Sequence, residues 1–139
     1  MSKRILLFTL LLFLTACQEK AKPVIIKSST VETPLSCLNL PIINKEDKLL
    51  QHLNTLYAFK SNCSYTLTLS YKKDITCNST QNIGLKTMGK FPRSFIKLEV
   101  RKGLTVVYSY YVDLYSNIDN NDIEEGFAYL KNDLIKDTQ

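Results

Sequence analysis

Tryptophan is absent from this chain, histidine occurs once, and glycine and proline number four each. With His52 as the only imidazole, a histidine-rich metal site is excluded, and a histidine base has a single candidate. The four cysteines contain no Cys-x-x-Cys. Gly-x-Ser-x-Gly, His-Glu-x-x-His and glycine-rich phosphate loops are all missing. The sequence therefore offers no catalytic residue, metal or cofactor, and the expectation is a non-enzyme. No apolar run approaches the ~20 residues a membrane-spanning helix needs.

What is present begins at the N-terminus. Lys3 and Arg4 precede the ten-residue apolar run Ile5–Leu14, which ends in Leu14-Thr15-Ala16-Cys17. That run has the length of a signal-peptide core, and the small residues Thr15 and Ala16 precede the cysteine. The stretch resembles the lipobox of bacterial lipoproteins, and the resemblance covers the first 17 residues only. It implies a signal peptide over 1–16 and lipidation of Cys17. At about 0.8 kcal/mol per buried methylene, more than one acyl chain makes attachment effectively permanent. Gln18 stands where an aspartate often signals inner-membrane retention in Gram-negative lipoproteins. The expected address is thus the periplasmic face of the outer membrane, with the inner membrane second.

The remaining residues suffice for one domain. Without Lys3 and Arg4, the excess of basic over acidic side chains falls from five to three. The basic residues are scattered, and the adjacent pairs Lys72-Lys73 and Arg101-Lys102 read as solvated turn ends. Residues 17–36 read as a flexible tether and 37–139 as a single globular domain. Once Cys17 is lipidated, Cys37, Cys63 and Cys77 remain in an oxidising compartment. A Cys37–Cys63 disulfide is favoured over Cys63–Cys77, because the lead-in Cys37–Ile43 can run back along the following helix to its end.

Asn44 reads as the cap of a helix over about Lys45–Phe59, with Leu49, Leu53, Leu56 and Tyr57 at helical spacing. His52 lies beside that stripe as a partly exposed helix residue. Tyr65–Tyr71 alternates strictly and reads as a half-buried strand, followed by a turn and a short second strand at Ile75–Cys77. Residues 78–93 form a long connection. Phe95–Val100 and Leu104–Tyr115 form a hairpin. A three-residue loop at Arg101-Lys102-Gly103 would pair Val100 with Leu104 and Ile96 with Tyr108. A last helix starts near Asn121, with Glu124 completing a capping box, and carries Ile123, Phe127, Leu130 and Leu134.

The fold class is therefore α+β: a small antiparallel sheet of three to four strands with an N-terminal and a C-terminal helix, in the order α-β-β-(β)-β-α. The shorter order is shared with double-stranded RNA binding domains. No basic helix terminus accompanies it here, so no nucleic-acid partner is expected.

The remaining signal is aromatic. Four of the eight tyrosines fall in Tyr108–Tyr115. Core parity takes Tyr108 and Tyr110, which leaves Phe95, Val107, Tyr111 and Tyr115 on the opposite face. An uncovered patch of that kind suits an interface. Two functions fit. One is an accessory protein-binding module of an envelope assembly or secretion machine, held to the membrane by its N-terminal lipid. The other is a binder of peptidoglycan or lipopolysaccharide, using a cleft under residues 78–93.

Overall fold

The computed structural model describes residues 20–76 and 91–135. Six elements follow in order: β1 (Val24–Lys27), α1 (Lys48–Thr55), β2 (Tyr65–Lys72), β3 (Ser94–Lys102), β4 (Thr105–Leu114) and α2 (Asn120–Leu134). The strands make one antiparallel sheet ordered β1-β4-β3-β2. Both helices pack on one face, so the fold is α+β in two layers. From Lys48 on, the order is α-β-β-β-α. The fourth strand comes from residues 24–27 and not from Ile75–Cys77. Ile75 donates one backbone bond to Arg93 without forming a strand, and Cys77 lies outside the described residues.

The first departure from expectation is β1. The segment read as tether up to residue 36 belongs to the folded domain from Lys20 onward. Val24-Ile25-Ile26 is β-branched throughout, which suits a strand. It pairs with Tyr108–Tyr111 of β4. Ala21 and Ser28 add backbone bonds to Asp113 and Val107, both at 2.9 Å. Those bonds occupy polar groups that β4 would otherwise present as an open edge. Leu35 is buried, and its amide bonds Leu134 of α2.

The hairpin register also differs. Gly103, at a positive φ of 59°, and Leu104 form a two-residue turn, with Lys102 opposite Thr105. A bulge follows, so that Val100 faces Tyr108, Leu98 faces Tyr110 and Ile96 faces Val112. The expected pairing of Val100 with Leu104 would have left Tyr111–Leu114 beyond the end of β3. The observed pairing seats Tyr108, Tyr110, Val112 and Leu114 in the core and leaves Leu104 at the tip, 96 % exposed.

Helix α1 is shorter than its apolar stripe suggested. Asp47 is its cap, accepting from the amides of Leu49 and Leu50 at 3.0 and 3.1 Å. Asn44 instead caps the preceding turn through the Glu46 amide. Helix α2 carries a capping box, formed by Asp119 and Asp122 in place of Asn121 and Glu124. Its stripe of Ile123, Phe127, Leu130 and Leu134 is buried as expected.

The Cys37–Cys63 disulfide is present, with Cα atoms 5.9 Å apart. The lead-in runs back along the start of β2. Asn39 donates to Tyr65, accepts from Leu67, and bridges Thr66 in parallel.

Gly126 decides how closely α2 approaches the sheet. A Cβ there would lie 2.9 Å from the Tyr110 ring and 3.1 Å from Leu98. Gly126→Ala gains up to about 1 kcal/mol of helix propensity. It also forces two fully buried side chains apart, which costs about 1–3 kcal/mol. A lowered thermal midpoint is expected, and a raised one would refute this packing.

The buried tyrosines give a second test. Burial, with the Asp133 carboxylate accepting from its hydroxyl at 3.0 Å, pushes Tyr108 well above the ordinary tyrosine range. Burial, with Glu125 and Tyr129 nearby, does the same to Tyr110. In the unfolded chain both ionise near pH 10. Below that pH their contribution to stability is complete. Above it the unfolded state loses protons that the folded state keeps, so stability falls as pH rises. Alkaline titration should show unfolding above about pH 10, with the last tyrosinate absorbance appearing together with loss of structure. Full tyrosine ionisation in a still-folded protein would contradict this.

Candidate functional site

The sheet has two unlike faces. The helices cover the one built by Leu67, Ile96, Leu98, Val100, Tyr108, Tyr110 and Val112, all buried. On the other face, β3 contributes Phe95, Lys97, Glu99 and Arg101, and β4 contributes Val106, Ser109, Tyr111 and Asp113. β2 adds Thr66, Thr68 and Ser70. The register places Val24 opposite Tyr111 and Ile26 opposite Ser109, so both join this second face. Among the described residues both helices lie on the opposite side.

An apolar strip runs diagonally across it. The Phe95 and Tyr111 rings stack at 5.5 Å between centroids and 30° between planes. Val24 lies beyond Tyr111, 56 % exposed, and Ile26 beyond that, 65 % exposed. The Tyr111 hydroxyl donates to Asp113 Oδ1 at 2.7 Å. Partial burial, with that carboxylate as its acceptor, pushes the hydroxyl up to about 12. The ring is therefore neutral and fixed in orientation.

A charged row flanks the strip. Glu99 lies between Lys97 at 3.0 Å and Arg101 at 3.5 Å. Burial alone would raise the Glu99 carboxyl, but hydrogen bonds and charge from Lys97 and Arg101 outweigh it and hold the group below its usual value. The face thus offers apolar area on the β1–β4 side, and paired charge with threonine and serine hydroxyls on the β3–β2 side.

Of the four residues expected on this face, Phe95 and Tyr111 are there. Val107 is not. The bulge places it next to Tyr108 opposite Val100, and it is only 5 % exposed, packed in the core. Tyr115 is half-buried in the bend after β4 and outside the strand rows. Val106, opposite Arg101 and 36 % exposed, takes the place expected of Val107. Val24 and Ile26 were missed. Their signal was the apolar island inside a polar segment, which strand pairing explains.

His52 on α1 meets Glu124 on α2, Nε2 to Oε1 at 2.9 Å. That contact joins the helices at the surface. Lys20 pairs with Glu125, and with Asp122 at 3.6 Å. Burial would lower the Lys20 ammonium, but the two carboxylates raise it. Among the described residues no three His, Cys, Asp or Glu side chains gather in a way that could hold a metal ion. No described helix is long and apolar enough to cross a membrane. A polar hollow of 390 Å³ lies beside Asn44, Asp47, Tyr71 and Lys73. The cleft expected under residues 78–93 falls mostly outside the described residues, as do Cys17 and Cys77. No family model matches the chain, and no curated protein and no solved structure matches it.

Proposed function

We propose that the protein is a non-enzymatic lipoprotein, anchored through Cys17 on the periplasmic face of the outer membrane, that binds an envelope protein through the open face of its sheet. The observation that carries the binding reading is the strip Val24–Ile26–Tyr111–Phe95. Two aliphatic side chains stand well exposed beside a stacked aromatic pair. Apolar side chains gathered on one face, rimmed by charge, are the usual make-up of an interface core and its margin. The Cys37–Cys63 disulfide supports an oxidising compartment and so agrees with export. The anchor rests on the Leu14-Thr15-Ala16-Cys17 motif. Binding of an envelope glycan or lipid is the second reading, and the polar hollow beside Tyr71 is the feature that favours it.

Aromatic anchors at interface centres often contribute about 2 kcal/mol, roughly thirtyfold in affinity. The wild-type chain, detergent-extracted from its own envelope, should carry acyl chains at Cys17 by mass spectrometry and co-purify with a protein partner. Tyr111→Ala should keep the thermal midpoint within a few degrees and lose that partner. An unmodified N-terminus at Cys17 would end the anchor. Unfolding of Tyr111→Ala would show the ring to be part of the core, and unchanged capture would move the interface elsewhere.

A further inference from the structure

We propose that the domain stands end-on and close against the bilayer, with the β3–β4 turn pointing away from it and the open sheet face held upright. This rests on lipidation of Cys17. Only Gln18 and Glu19 separate that cysteine from Lys20. Lys20 is not a loose end. It bridges Leu114, and its ammonium is held by Glu125 and Asp122 of α2, while Ala21 bonds Asp113. Three Cα steps cover at most about 11 Å. The folded domain therefore starts within about a nanometre of the acylated residue.

The hydrogen bonds show which part of the domain that brings to the membrane. Lys20 and Ala21 adjoin Asp113 and Leu114. Leu114 accepts from the Arg93 amide, and the Arg93 carbonyl accepts from Ile75. Lys72 faces Phe95, one step from the Ser94–Leu114 pair. The same end of β2, β3 and β4 thus forms one row beside the anchor point. Lys22, Lys72, Lys73 and Arg93 are exposed along it. Of the acids at that end, Asp113 accepts from Tyr111, Asp122 and Glu125 hold Lys20, and Asp119 caps α2. Asp74 in the turn is exposed, and so is Glu46 in the hollow beside Tyr71 and Lys73, where Asp47 caps α1. Among the described residues, four exposed cations against those two carboxylates suit a surface of anionic headgroups. Gly103 and Leu104 lie at the far end of β3, a strand of nine residues or about 30 Å.

This orientation matters for the interface. A domain lying on its open face would bury Val24, Ile26 and Tyr111 against lipid. A domain standing on the Lys20 end leaves that face free for a protein that is itself at the membrane.

The test uses the acylated protein in nanodiscs of phosphatidylethanolamine and phosphatidylglycerol containing a headgroup-attached quencher. Cys77→Ser leaves the disulfide intact and Cys17 acylated, so one new thiol can be labelled at a time. Lys73→Cys marks the base, Lys97→Cys the open face and Leu104→Cys the tip. The base label should lose most of its emission, the face label part of it, and the tip label little. Inserting about 20 Gly/Ser residues after Cys17, roughly 25 Å of mean reach, should erase the contrast. Strong quenching at Lys97 and Leu104 together would mean that the domain lies on its face, and equal weak quenching at all three sites would mean that it tumbles free. Either overturns the proposal while acylation stands. A contrast that survives the insertion overturns the tether as its cause. Failure of acylation, read separately by mass, removes both the anchor and the orientation.

Discussion

Residues 20–28 close the β4 edge, and the sheet, the helix layer and the open face are all arranged around that closure. β4 contributes more buried apolar side chains than any other strand, with Val107, Tyr108, Tyr110, Val112 and Leu114 all buried. Without β1 its backbone would be an edge rich in unpaired donors and acceptors, directly beside exposed aromatic surface. Edges of that kind invite pairing with another chain. Closing it with the chain's own N-terminal segment makes β4 interior on both sides. The same pairing sets Val24 and Ile26 beside Tyr111 and fixes where the chain leaves the domain.

The helix layer follows from β4 as well. Its core-facing tyrosines present large flat rings, and Gly126 lets α2 come down onto Tyr110. Tyr108 reaches Asp133 and the Lys27 ammonium reaches the Asp133 carbonyl, so β1, β4 and the end of α2 meet at one residue. At the other end of α2, Lys20 joins Asp122 and Glu125. The segment is thus tied to the helix at both of its ends, as well as to the strand beside it. Exposed ion pairs contribute little singly. The main stabilisation comes from the backbone ladder and the buried side chains.

Much of this was legible in the residues. The alternation of Tyr65–Tyr71 and the stripe Ile123, Phe127, Leu130, Leu134 marked a strand and a helix by period alone. The Cys37–Cys63 pairing was favoured from the reach of a lead-in running back along a helix, although the lead-in takes its backbone bonds from the start of β2. What was not legible had non-local causes. Val24-Ile25-Ile26 is too short to declare itself a strand among lysines, serines and prolines, because its partner lies more than 80 residues away. The hairpin register depended on a bulge at Val107, which shifts parity without any glycine or proline to mark it. That bulge removed Val107 from the open face, while β1 added Val24 and Ile26 to it. The candidate surface was therefore found in the right place with half its membership changed. The capping residues were each displaced by two or three positions, because Asp, Asn and Glu in one run all satisfy the local pattern.

Residues 20–28 are folded structure and not a tether. Native-state hydrogen exchange reads this directly, residue by residue. The amides of Ala21 and Ser28, each bonded to a β4 carbonyl, should be protected together with the β4 strand. Their exchange should be suppressed by orders of magnitude relative to an unstructured peptide. Exchange of these two amides at free-peptide rates, with β4 and α2 still protected, would contradict the account.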